Sequence, residues 1–269
     1  STGNADYLFL DEIPKEDILG NSGKYNGGKY IDSVADDGLA GSLATTSWDE
    51  PRDNMYSLGL TAYGVAYAAI GKIVCLSEPF VPYAWPRDYE LTCDNDIVAI
   101  GHYDNALIVG TTGRPVMITG IDPQNMSQSE LPISEACVSA KSMVSMGRYA
   151  IYASPNGLVM ASGGDAQLIT GGIITNREWA NYQPDSIHAY QHRGKYIFFW
   201  KKDSLNKGGV IFDPRSPNDG LIAFNQYFVA GYRDQDTDTL YLIDENKVLW
   251  KFDDNNASPR TYTWKSKRI

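Results

Sequence analysis

The feature that most limits how this chain can fold is a sentence of turn, strand, turn, strand that recurs along it. Its clearest copy runs from Met146 to Ser162, M-G-R-Y-A-I-Y-A-S-P-N-G-L-V-M-A-S. A turn at Gly147 launches an apolar alternation of Tyr149, Ile151 and Ala153. Ser154-Pro155-Asn156-Gly157 interrupts it, and Leu158 and Met160 resume it. Asn-Gly between two alternating apolar segments predicts a β-hairpin with a type I′ turn, because both residues tolerate positive φ. On that expectation Gly157 fixes the register, and the hairpin forms the inner edge of its sheet.

Comparable units turn at 27, 71, 104, 147, 194 and 236, at intervals of 44, 33, 43, 47 and 42 residues. Most of these turns carry Gly, Asn or Asp, the residues that accept turn geometry. A period of roughly 40–50 residues with about four short strands each is the spacing of β-propeller blades. A small twisted sheet cannot bury both faces alone, and stacking such sheets around an axis supplies the missing core. The expectation is therefore an all-β chain, a β-propeller of about six blades, within limits of five and seven. A β-sandwich would give short strands without the period. Neither the WD nor the kelch signature stands in register, so spacing and turn chemistry carry the inference. Aromatics at 12%, with 25 Gly and 13 Pro, suit strands joined by tight turns.

Two short helical insertions are expected. Thr175 with Glu178 forms a capping box ahead of W-A-N-Y-Q, stopped by Pro184, and Asp122-Pro123 offers an N-cap followed by proline at the first helical position. Near the start, Tyr7-Leu8-Phe9-Leu10 is a strand candidate, and P-K-E-D-I-L-G at 14–20 suits one helical turn. The terminal T-Y-T-W-K-S-K-R-I alternates like a strand, which suits either a ring-closing strand or an excised piece that stops inside a strand. No linker or compositional break divides the chain. One propeller domain over 1–269 is expected, with 1–24 either closing the ring or lying at its periphery.

Net charge is −10, so there is no basic footprint for nucleic acid or anionic lipid. The opening S-T-G-N-A-D-Y lacks the basic and apolar blocks of a signal peptide, and no apolar run is long enough to span a bilayer. Cys75, Cys93 and Cys137 are widely spaced and odd in number, which predicts free, mostly buried thiols in a reducing compartment.

Chemistry-bearing patterns are few. His102, His188 and His192 are the only histidines, and no nearby Cys or Glu completes a metal set, so structural or surface roles are expected. Asp234, Asp236 and Asp238, with Glu245 in the twelfth place, follow the carboxylate spacing of a calcium loop. Thr239 occupies the position of that loop's glycine, which favours exposed turn acids; calcium binding is left open. The aromatics of Y-A-W-P (83–86) and F-F-W (198–200) suit blade core better than stacking on sugars or bases. No catalytic, cofactor-binding or metal-binding set is assigned, and no cofactor is expected.

Several phrases together resemble a known family: S-E-P-F-V-P-Y-A-W-P (77–86), L-P-I-S-E-A-C-V-S (131–139), Y-A-S-P-N-G-L-V (152–159), P-D-S-I-H-A-Y (184–190) and T-Y-T-W-K-S-K (261–267). In this order they are similar to the propeller region of the tail tubular, or nozzle-type, structural protein of short-tailed bacteriophages and prophages, over about residues 50–267. Members of that family are usually longer. The resemblance implies a virion tail component without enzyme activity, made in the bacterial host cytoplasm. Its implied partners are adaptor, fibre or spike proteins, with self-association in a ring that DNA passes through. The alternative expectation is a propeller that binds or cleaves carbohydrate at the host surface.

Overall fold

The structure is a computed structural model that describes residues 48–254 throughout, and four short strands before them. The chain divides into two compact units, Ser1–Glu50 and Pro51–Ile269. In the first, β1 (Leu8–Phe9) pairs antiparallel with β4 (Ala40–Ser42), and β2 (Tyr25–Asn26) pairs with β3 (Lys29–Tyr30). These are the strand expected at 7–10 and the hairpin expected at 27. The helical turn expected at 14–20 and the terminal alternation at 261–269 lie outside the described residues.

Among its described residues the second unit holds five antiparallel sheets, each strand pairing with the next in sequence. Blade 1 comprises β5 (Tyr56–Leu60), β6 (Ala66–Ile70), β7 (Ile73–Leu76) and β8 (Leu91–Thr92). Blade 2 comprises β9 (Ile97–Tyr103), β10 (Ala106–Thr111), β11 (Val116–Thr119) and β12 (Ser127–Glu130). Blade 3 runs through β13 (Val144–Ser145), β14 (Ala150–Ser154), β15 (Gly157–Ser162) and β16 (Asp165–Leu168). Blade 4 runs through β17 (His188–His192), β18 (Lys195–Lys201), β19 (Lys207–Phe212) and β20 (Leu221–Phe224). Blade 5 has three described strands, β21 (Ala230–Asp234), β22 (Thr239–Ile243) and β23 (Leu249–Lys251).

The first strands of successive blades pack in order, β5 on β9, β9 on β13, β13 on β17 and β17 on β21. Strands that begin each sheet therefore gather along one line, and the sheets radiate from it. An inner strand has no ladder partner on its axial side, so serines from the neighbouring blade supply acceptors. The Ser57 hydroxyl accepts from the Ile100 amide at 2.7 Å, and the Ser145 hydroxyl accepts from the His102 amide at 3.0 Å. Replacing Ser145 with Ala should leave a backbone donor unmet and cost about 1–2 kcal/mol in a urea titration. An unchanged midpoint would show that water takes the place of Ser145.

Middle strands are buried on both faces. In blade 3, Ala150 and Tyr152 pack toward blade 2, while Ile151 and Ala153 pack toward blade 4. In blade 4, Tyr196 and Phe198 face blade 3, and Ile197 and Phe199 face blade 5. This explains near-continuous apolar runs such as Y-I-F-F, which a half-buried strand would not tolerate. At the outer edge, every residue of β12, S-Q-S-E, is exposed.

Two expectations about the 146–162 hairpin change. Ser154 pairs with Gly157, so the two loop residues are Pro155 and Asn156. Proline locks φ near −65°, which excludes a type I′ turn with Pro155 in its first central position. The hairpin also joins the second and third strands of its blade, so it lies mid-sheet and not at the inner edge. Both helical insertions are present. The helix α1 (Asn176–Ala180) carries the complete Thr175–Glu178 capping box, and Asp122 accepts from the Gln124 amide before a 3-10 turn at Pro123–Asn125.

Candidate interaction surface

The three histidines are all found in the walls between blades. His102 on β9 meets the Tyr67 hydroxyl of blade 1 through Nδ1 at 2.9 Å, and burial lowers its pKa. His188 on β17 is buried, and its Nε2 donates to the Phe228 carbonyl at 2.8 Å, tying blade 4 to the segment that enters blade 5. Burial lowers its pKa as well. A neutral ring with one donor nitrogen suits such a pin. His192, at the end of β17, is also buried.

The acids singled out in the sequence do not converge. Asp234 opens the β21–β22 turn, accepting from the Asp236 amide at 3.0 Å and the Thr237 hydroxyl at 2.6 Å. Asp238 pairs with Arg233 at 2.7 Å. Glu245 sits beyond the other end of β22 and pairs with Lys201 at 2.9 Å and with Lys207. Each of Asp234, Asp238 and Glu245 is held below its ordinary pKa by those partners: the Thr237 hydroxyl, Arg233, and the two lysines in turn. Among the described residues no group of three or more His, Cys, Asp or Glu is placed to hold a metal ion.

All three cysteines are free and buried. Burial pushes the Cys75 thiol up to about 11 and the Cys137 thiol up to about 12, and raises Cys93 too. Such thiols stay protonated near neutrality and make poor nucleophiles. Of the aromatic phrases, Trp85, Phe198 and Phe199 are core, whereas Tyr83 is exposed.

The sequence did not single out two features. Glu135 clamps the 154–157 turn, its carboxylate accepting from the Ser154 hydroxyl at 2.7 Å and the Asn156 side-chain amide at 2.9 Å. The second is the outer face of blade 5. Leu240 and Leu242 point toward blade 4 and are buried. Side chains alternate across a strand, so Tyr241 and Ile243 point the other way. Register sets Tyr232 opposite Tyr241 and Leu249 opposite Ile243. Tyr232, Ile243 and Leu249 on that face are 68%, 37% and 62% exposed. Every blade from 1 to 4 has its corresponding face covered by the next blade. Among the described residues no further sheet packs on this face of blade 5, and an exposed apolar patch of this kind can mark an interaction site.

Among solved structures, the chain is similar to YCF48 from Cyanidioschyzon merolae, with a TM-score of 0.50 at 10% identity over 73% of this chain and 66% of that one. The fold is a β-propeller. Weaker likenesses are to the Cps50 (Swd1) beta-propeller domain of Myceliophteria thermophila (TM-score 0.48, 9% identity, 80% of this chain and 71% of that one) and to Hsv2 of Kluyvelomyces marxianus (0.45, 8%, 74% and 64%). The YCF48 and Hsv2 matches span less than two thirds of those chains' own length. No protein-family model and no curated protein matches the sequence. No described helix is long and apolar enough to cross a membrane.

Proposed function

We propose that the chain is a non-enzymatic structural component of a phage tail, a propeller that mediates subunit contacts around the tail nozzle or hub. The observation that carries the interaction role is the exposed apolar face of Tyr232, Ile243 and Leu249. The phage context rests on the ordered phrases between 77 and 267 that resemble nozzle-type proteins. The partners would be copies of the same chain in a ring, and adaptor, fibre or spike proteins, in the virion after synthesis in the host cytoplasm. A net charge of −10 suits a wall past which DNA slides, because it offers phosphate few cationic contacts.

The face is tested by replacing Leu249 with Asp. Leu249 is exposed, so the folded chain should keep its melting temperature within a degree or two. Co-sedimentation with tail proteins should fall at least tenfold, since an uncompensated charge buried in an apolar interface costs well over about 1.4 kcal/mol. Undiminished co-sedimentation would remove this face from the proposal. Binding of the unaltered chain to glycans and to no tail protein would favour the carbohydrate alternative.

A further inference from the structure

His192 differs from the other two histidines. Its side chain is only 5% exposed, and neither ring nitrogen makes a hydrogen bond. A buried polar group without a partner carries a desolvation cost that folding does not return. What the ring does contact is the end of blade 5. It meets Phe252 edge-on, with centroids 5.6 Å apart at 89°, and its Nε2 lies 3.7 Å from an Asp253 carboxylate oxygen. Phe252 follows β23 directly, and its amide donates to the Leu240 carbonyl at 2.9 Å. The blade 4 hairpin at 192–195 thus grips the last described turn of blade 5 through one imidazole and one phenyl ring.

The charges around the ring come from both blades. Arg193 follows it, Lys195 is its cross-strand neighbour, and blade 5 supplies Asp238 and Asp253. Both carboxylates are already engaged, Asp253 by Arg193 at 2.6 Å and Asp238 by Arg233 at 2.7 Å. A proton arriving on His192 therefore enters a site whose negative charge is already balanced, and it must also be desolvated against Phe252.

We propose that His192 is an acid-operated latch, whose protonation releases Phe252 and Asp253 from the blade 4 hairpin and loosens the end of blade 5. Burial, assisted by Arg193, holds the ring's pKa below its ordinary value against the pull of Asp238 and Asp253. The sign follows from that depression. The unfolded ring takes up its proton before the folded one does, so the latch is intact above the ordinary pKa of 6.5. It weakens as pH falls from there to the folded value.

The test is hydrogen exchange read at the Phe252 amide, corrected for intrinsic rates, between about pH 7.5 and about pH 5. Protection in the parent should fall by up to about tenfold per pH unit, the ceiling for one proton, while β18 amides hold theirs. His192→Phe keeps a ring against Phe252 and should abolish the fall. The same fall in that variant would assign the effect to another group, such as His188, and overturn the proposal. Protection that is flat or rises on acidification in the parent would overturn it too, because Asp253 would then be rewarding the proton. Should His192→Phe not fold, NMR titration of the unaltered protein decides: a His192 ring titrating at or above 6.5 contradicts the latch, and one below it supports it.

Discussion

Trp179→Ala should cost about 3–5 kcal/mol, a fall in melting temperature of about 6–20 °C. Trp179 is fully buried on a five-residue helix too short to stand by itself. Its indole packs edge-on against Tyr182 at 6.0 Å and Phe198 at 5.9 Å, and its Nε1 donates to the Ser154 carbonyl at 2.9 Å. The substitution opens a cavity between blades 3 and 4 and at once removes the donor to the Ser154 carbonyl at the end of β14. Exposed Arg177 on the same helix is the control, and its replacement by Ala should stay within about 0.5 kcal/mol. Denaturant unfolding of the two variants makes the comparison. A Trp179 loss below about 1 kcal/mol would mean that the helix is a surface ornament and not a wedge.

Gly157→Val carries the second large effect, about 3 kcal/mol. The Gly157 φ is +155°, and a Cβ there would lie 2.3 Å from the Thr170 hydroxyl oxygen and 3.0 Å from Leu168 Cδ1. Thr170 cannot swing aside: it is fully buried, and its hydroxyl accepts from the Leu158 amide at 2.9 Å. Overpacking costs about 1–3 kcal/mol, and backbone strain adds about 1–2. Gly163→Ala isolates the backbone part, because Gly163 has φ +57° and open space around it. That variant should lose only about 1 kcal/mol. Equal losses at the two positions would rule out the Thr170 clash.

The Gly157 case shows where the sequence can and cannot be read. Glycine was needed there, but the loop residues are Pro155 and Asn156, and steric closeness to Thr170 adds to the demand. The blade period was legible because its turns need Gly, Asn or Asp. Its one short interval, from 71 to 104, came from matching unlike hairpins. Gly71 joins the second and third strands of blade 1, whereas Asp104, Gly147, Gly194 and Asp236 join first and second strands. The corresponding turn of blade 1 lies between Leu60 and Ala66, which brings its step close to the others.

The candidate site was far less legible. Tyr232, Ile243 and Leu249 carry the same apolar alternation as core residues such as Leu240, and only the packing of Leu240 against blade 4 tells the two faces apart. Period-2 patterning says which residues share a face and nothing about what covers it. The histidine contacts were hidden for a related reason: Tyr67, Phe228 and Phe252 are distant in sequence from the rings they meet, and local spacing cannot announce them. Local devices, by contrast, were readable because their parts sit within four residues, as in the Thr175–Glu178 capping box.

In the proposed function this propeller is an interaction module of a phage tail. Negative-stain microscopy of the purified chain, mixed with tubular, adaptor and fibre proteins of a short-tailed phage, tests that most directly. On the proposed reading the chain joins a ring or tail-end complex as a discrete propeller-shaped density. Particles that remain isolated propellers, with every tail complex lacking that density, would contradict it.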